Sequence, residues 1–227
     1  MSIRQRAIQA SDKQERHAAI LDAAERLLVG ALDRVPNVAE VADEAGLAKG
    51  TVYLYFASKE ELLLAVHERN LDDFFRALDA LLAGTRRVTI DDLLAVTNEH
   101  IVSPVLFLPL AARCFALMAH SIPAPAANAF RERMAARLER AGAGIERHFP
   151  RLAAGEGVAR LRHSFALTLG LWQMSSGAGC AAAIATVATS GERVNSTAFV
   201  RDYPQDLARA LRALWQSVSI APEPPAR

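Results

Sequence analysis

The segment KGTVYLYF, residues 49–56, carries one cation, one hydroxyl, two phenols and a glycine within eight positions. Placed on a helix, Val52 and Phe56 are four apart and share an inward face. The remaining side chains point away from that face. Gly50 lets another backbone approach closely, Thr51 can hydrogen-bond a phosphate or a base edge, and the Tyr53 and Tyr55 hydroxyls can reach phosphates. Lys49 and Lys59 bracket the segment with positive charge, and the helix start at Ser58 offers backbone amides to an anion. None of these groups forms a nucleophile and base pair. Their chemistry is recognition of a polyanion with readable edges, which duplex DNA satisfies. Leu54 is the exception, an apolar side chain opposite the core. It either rests against a thymine methyl in the major groove or is an incidental exposed leucine.

The flanking residues explain how such a face would be held. Asn37 followed by Glu40 has the spacing of a capping box and opens a helix running to Ala45; Ser58 with Glu61 opens another, running to about Leu82. Ser11 with Gln14 gives a third such start, after which Ile20, Ala24, Leu27 and Ala31 line one face of a first helix. Residues 37–59, NVAEVADEAGLAKGTVYLYFASK, therefore predict a helix, a tight turn and a second short helix, the layout of a helix-turn-helix.

The run AGLAKGTVYLYFASKEEL within this region is very similar to the recognition segment of TetR-family transcriptional regulators, over about residues 15–64. The resemblance implies that Ala45 and Gly46 form the tight turn, that Thr51, Tyr53 and Tyr55 contact DNA, and that Lys59 holds a phosphate. Asn37, Lys49, Gly50 and Leu54 complete the candidate DNA-binding set. It also implies an all-α fold, with an N-terminal three-helix DNA-binding domain and a C-terminal helical domain for ligand binding and dimerisation. Two positions depart from the pattern. Ala48 stands where the family often has a capping serine, a loss worth on the order of 1 kcal/mol, so the short helix is expected to order partly on DNA. The segment from Gly30 to Pro36 lacks the usual glycine–aromatic pair.

Composition agrees with an all-helical protein. Of the 227 residues 52% are hydrophobic, and the 12 glycines and 10 prolines cluster at segment boundaries. The formal charge of +1 identifies no partner, and the first sixty residues hold eight Lys and Arg against nine Asp and Glu. Cys114 and Cys180 sit in apolar surroundings without metal-ligand spacing, as core thiols of a reducing compartment would. The N-terminus has no apolar run of the signal-peptide kind. The uncharged stretch from Ser164 to Ser190 is rich in Ser, Thr and Gly, which suits a buried or subunit-facing helix better than a membrane span. The expectation is a cytoplasmic protein without cofactor or metal. The six histidines show no HxxxH or HExxH spacing, and no GxSxG, P-loop or GxGxxG is present, so an enzyme is not expected.

The domain organisation follows from caps and breakers: a flexible arm over 1–10, a DNA-binding domain over 11–62 whose last helix continues to about 83, a domain over 84–220, and a disordered tail over 221–227. Helices are predicted near 90–102, 105–121, 124–148, 156–178 and 203–218, separated mostly by Pro104, Pro123, Pro150 and Gly155. Phe107, Ala111, Cys114 and Met118 share one helical face, and Phe165, Leu169, Trp172 and Ser176 share another. With His100, the residues Phe107, Cys114, Met118, Phe165 and Trp172 are candidates to line a pocket for a small apolar or aromatic effector, although plain core packing explains the same stripes. His120 and Gln173 could also orient a ligand. A small-residue face, Ala166, Gly170, Gln173 and Gly177, is the candidate dimer seam, joined by Leu207, Leu211, Leu214 and Trp215. The expected function is a homodimeric repressor released from a palindromic DNA operator by its effector. A regulator that activates or needs its ligand to bind DNA, and a ligand-independent dimeric DNA-binding protein, share the same sequence logic.

Overall fold

Three of the helix starts in the chain are set by a polar side chain three residues ahead of a carboxylate. Asn37 Oδ1 accepts from the backbone N–H of Ala39 and Glu40 at 2.8 and 3.1 Å, and the Glu40 carboxylate returns a bond to the Asn37 N–H at 2.8 Å. Ser58 Oγ accepts from Glu61 N–H at 3.1 Å, while the Glu61 carboxylate reaches the N–H of Ala57. Thr89 and Asp92 form a further box, which sequence reading did not single out. The computed structural model describes residues 3–175 and 202–219, with side chains over 12–175 and 202–216. Gly177, Ser176 and Cys180 lie outside the described residues.

The helices are α1 (Ile3–Gly30), α2 (Val38–Glu44), α3 (Lys49–Tyr53), α4 (Lys59–Ala83), α5 (Ile90–Thr97), α6 (Phe107–His120), α7 (Ala124–His148), α8 (Glu156–Ser175) and α9 (Tyr203–Ser219). A π-helical turn over Asn98–Val102 follows α5 directly. Two boundaries differ from expectation. Helix α1 begins at Ile3 rather than at Ser11, because residues 3–17 contain neither glycine nor proline and are dominated by good helix formers. Regular helix α3 stops at Tyr53 rather than Phe56, since the chain must turn within a few residues to start α4.

The chain divides into two units, and the division does not fall at the end of α4. The first unit runs to Asp72 and includes Val105–Phe130; the second takes Asp73–Pro104 and the chain from Arg131 onward. Helix α6 therefore belongs with the head. Its Phe107, Leu110, Ala111 and Cys114 are fully buried, the Cys114 thiol donates to the carbonyl of Leu63 at 3.7 Å, and burial pushes that thiol up to about 12. Arg113 on α6 donates to the carbonyls of Leu32 and Arg34, which lead from α1 into α2. In the same unit Arg69 of α4 pairs with Asp22 and Glu25 of α1.

In the second unit, α7 and α8 cross at glycine. A Cβ built on Gly157 would lie 2.3 Å from the carbonyl oxygen of Gly142, so neither helix tolerates a side chain at the crossing. The Glu146 carboxylate accepts from the N–H groups of Gly155 and Gly157, closing the intervening turn. Helix α9 packs on α8: Trp215 Nε1 donates to Ser164 Oγ at 3.0 Å and the Tyr203 hydroxyl donates to the Thr168 carbonyl at 3.1 Å. Among the described residues no single helix is long and apolar enough to cross a membrane.

Candidate nucleic-acid interface

Between α2 and α3 the backbone turns on Gly46, whose φ of +66° favours glycine. Gly46 N–H bonds back to Asp43 O at 3.1 Å and Leu47 N–H to Ala42 O at 2.9 Å, which satisfies the last carbonyls of α2. The turn sets α3 with Val52 and Phe56 buried against the rest of the head. Although regular helix ends at Tyr53, Phe56 N–H still bonds Val52 O at 3.0 Å. That bond preserves the four-residue spacing of the inward pair. Ala48 occupies the N-cap of α3 in extended conformation with no side-chain bond.

The outward face is apolar at its centre. Leu54 is 83% exposed and Tyr53 47% exposed. Lys49 is exposed, its ammonium 6.0 Å from the centre of the Tyr53 ring, and Thr51 is half-buried. A Cβ built on Gly50 would meet nothing within 4 Å. Packing inside the chain therefore does not require glycine there. Lys59 is exposed, with Glu60 3.9 Å away.

One candidate differs from expectation. Tyr55 does not project freely like Tyr53: it is half-buried, with its ring 6.2 Å from that of His17 on α1. It follows the end of regular helix and sits beside buried Phe56, whose ring is 5.1 Å from His17. Burial, reinforced by Arg69 and Lys13, lowers the His17 pKa. Asn37, as its spacing with Glu40 predicted, caps α2, its side-chain oxygen accepting from two backbone amides, and it remains exposed.

The electrostatics of the head follow from where its acids are held. Arg26 binds Glu44 at 2.7 Å and Arg34 binds Glu40 at 2.7 Å, while Arg69 takes Asp22 and Glu25. The Asn37 N–H and the Arg34 guanidinium hold the Glu40 carboxyl below its ordinary range. Arg26 and Arg34 are themselves among the eight cations of the first sixty residues, so only Arg69, from beyond that stretch, shifts their small negative balance, while Lys49 and Lys59 flank the exposed face.

The effector candidates are split between the units. Phe107 and Cys114 are buried in the first, where Met118 is half-buried; His100, Phe165 and Trp172 are half-buried in the second. Sequence reading missed the most unusual side chain of the first unit. His67 of α4 is 3% exposed and its Nδ1 has no hydrogen-bond partner. Phe107 meets its ring edge-on at 5.4 Å and Phe130 lies 6.5 Å away. Burial lowers its pKa to about 4, leaving the imidazole neutral near pH 7. A buried polar atom without a partner typically costs about 1–3 kcal/mol. The spacing Leu63, His67, Leu71 would have revealed it: a lone histidine at a core position of an amphipathic helix.

The proposed seam residues also separate. Ala166 and Gln173 are exposed and Gly170 is half-buried, with open space where a Gly170 Cβ would lie. Leu207, Leu211 and Trp215, by contrast, are buried in the chain's own second unit, and the Trp215 ring lies 5.8 Å from that of Phe149. These three expected seam residues are thus covered within the chain itself. Their face of α9 is consumed in packing on α8 and the end of α7. Leu214 is half-buried, and its carbonyl accepts from Arg160.

Comparison with known proteins gives this arrangement a family. Residues 20–66 match the bacterial regulatory proteins of the tetR family, and residues 68–219 match the tetracyclin repressor-like C-terminal domain. The chain belongs to the TetR family of transcriptional regulators. It is 37% identical over 67 residues to the uncharacterized HTH-type transcriptional regulator YfiR of Bacillus subtilis (strain 168), covering 30% of this chain and 33% of that one. It is 30% identical over 67 residues to the fatty acid metabolism regulator protein of the same organism, covering 30% of this chain and 34% of that one. The chain thus spans about a third of the length of the curated relatives it matches. Two solved structures share the TetR-like fold along most of the chain. SmeT, the repressor of the Stenotrophomonas maltophilia multidrug efflux pump SmeDEF, has a TM-score of 0.52 at 23% identity, covering 92% of this chain and 97% of its own. A TetR transcriptional regulator from Rhodococcus sp. RHA1 has a TM-score of 0.52 at 24% identity, covering 91% and 98%.

Proposed function

We propose that this TetR-family protein is a homodimeric repressor that binds a palindromic operator and releases it on binding a small apolar effector. The observation that carries the reading is the outer face of α3. Leu54 and Tyr53 stand in solvent beside Lys49, and Gly50 leaves that surface open to another backbone. In a dimer, two such helices enter successive major grooves roughly 34–36 Å apart. Thr51, Tyr53, Tyr55 and Lys59 position the head on phosphates, Lys49 adds charge, and Leu54 reads a thymine methyl. The α8 face with exposed Ala166 and Gln173 and half-buried Gly170, where a Gly170 Cβ would meet open space, supports a helix-on-helix seam between protomers. The fold shared with SmeT, described as a repressor, supports the sign of regulation.

An effector releases DNA only by binding the released form more tightly, since equal affinity for both forms shifts nothing. The test is selection of operator fragments from the source genome by the full-length protein at low salt, followed by anisotropy titration of the winner. The expected result is a palindrome bound by a dimer, with Gly50→Val weakening binding at least tenfold at unchanged melting temperature. Equal affinity for selected and random fragments would remove the reading.

A further inference from the structure

We infer that His67 is the polar anchor of an effector site between α4 and α6, and that the site takes a neutral aromatic molecule carrying a hydroxyl group. The inference deepens the effector-responsive reading above and rests on it. Its basis is a mismatch in the interior of the first unit. The His67 Nδ1 is sealed from solvent and makes no hydrogen bond, while the rings around it, Phe107 and Phe130, offer only apolar edges and faces. Native interiors pair nearly all their buried polar atoms, so an orphan of this kind calls for a partner that the surrounding side chains do not supply.

The surroundings define that partner. Two phenylalanine rings favour an aromatic body, stacked or edge-on. The imidazole is neutral, so it supplies no counter-charge, and a buried ion would be disfavoured. A hydroxyl is the group that suits Nδ1 in either tautomer, donating to the bare nitrogen or accepting from the protonated one. A phenol combines these features.

The site also has a route to the DNA-binding head. With His67 3% exposed, a ligand reaches Nδ1 only when a covering helix moves away from α4, and Phe107 makes α6 the nearer cover. Helix α6 carries both Phe107, at the ligand, and Arg113, whose guanidinium holds the carbonyls of Leu32 and Arg34 ahead of α2. Seating the phenol therefore displaces the helix that grips the entry to the helix-turn-helix.

The experiment uses the full-length protein and two probes that differ in one group, 4-ethylphenol and ethylbenzene, titrated calorimetrically. The wild type is expected to bind the phenol at least tenfold more tightly than the hydrocarbon. In His67→Phe, which replaces the orphan with an apolar ring, the preference falls toward unity while the melting temperature stays the same or rises. In Arg113→Met the phenol binds as in the wild type but no longer weakens DNA affinity. A wild-type preference near one, absence of phenol binding, or a preference that survives His67→Phe overturns the assignment. Release of DNA from Arg113→Met at wild-type phenol concentrations overturns the route through α6. Operator affinity is measured on the same samples: intact DNA binding alongside a failed phenol preference removes only this site, whereas a wild type that binds no operator removes the functional reading itself.

Discussion

Leu54 and His67 lie in the same unit and are placed opposite to their chemistry. The leucine stands in water on α3, 83% exposed, and the histidine is sealed among phenylalanines between α4 and α6, 3% exposed. Each placement costs the isolated protein free energy: apolar surface left hydrated in one case, a polar atom left unpartnered in the other. Most other side chains of the head follow the ordinary partition, with Val41, Val52, Phe56 and Leu63 inside and Asp43, Glu44 and Lys59 outside. On the readings proposed above, the contrast teaches that the two ends of a regulatory event leave opposite marks. The proposed DNA-reading end shows an apolar group left in water, and the proposed effector end shows a polar group left without a partner.

The largest expected effect breaks the buried half of that contrast. The folded-state pKa of His67, about 4, lies below the 6.5 of an unperturbed histidine. The unfolded chain therefore takes up the proton first. Stability from this group is intact above pH 6.5 and is lost progressively as pH falls toward 4, by roughly 3 kcal/mol. Denaturant melts of wild type and His67→Phe across that window should converge on a difference of this size, with the variant the less acid-sensitive. Identical pH profiles would mean that His67 is accessible to protons in the native state.

A smaller effect sharpens the exposed half. Leu54→Ala should leave the melting temperature within a degree or two but lower discrimination at one T·A position of the operator by about 1–3 kcal/mol, the usual cost of a mismatched base pair. Binding to a set of single-base operator variants reads this directly. An unchanged preference at every position would return Leu54 to the class of incidental surface leucines.

The smallest effect concerns the helix that carries Leu54. Ala48 already has the extended backbone of an N-cap but no side-chain bond. Ala48→Ser should stabilise the head by on the order of 1 kcal/mol, measured by chemical denaturation. It should also tighten DNA binding if α3 orders partly on the operator. Stabilisation without tighter binding would mean that α3 is fully ordered beforehand.

How much of this was legible in the sequence depends on the range of the interaction responsible. The Asn37–Glu40 and Ser58–Glu61 boxes, the Gly46 turn and the Val52–Phe56 pair all act over two to four residues, and each stands where its spacing predicted. Most helix spans followed from the same local rules. Tyr55 was harder to place, because its exposure depends on His17, which comes from another helix.

By itself, then, the sequence determined the helical class, the breaks between helices and the face of α3 that looks outward, because hydrogen-bond satisfaction and side-chain period are local properties of a chain. Tertiary structure alone decided that α6 joins the head, that His67 is entombed, and that Leu207, Leu211 and Trp215 are buried within their own unit. Periodicity reveals that a helix has an apolar stripe but not which surface covers it. That choice is made by contacts between distant segments, such as Arg113 with Leu32 and Arg34.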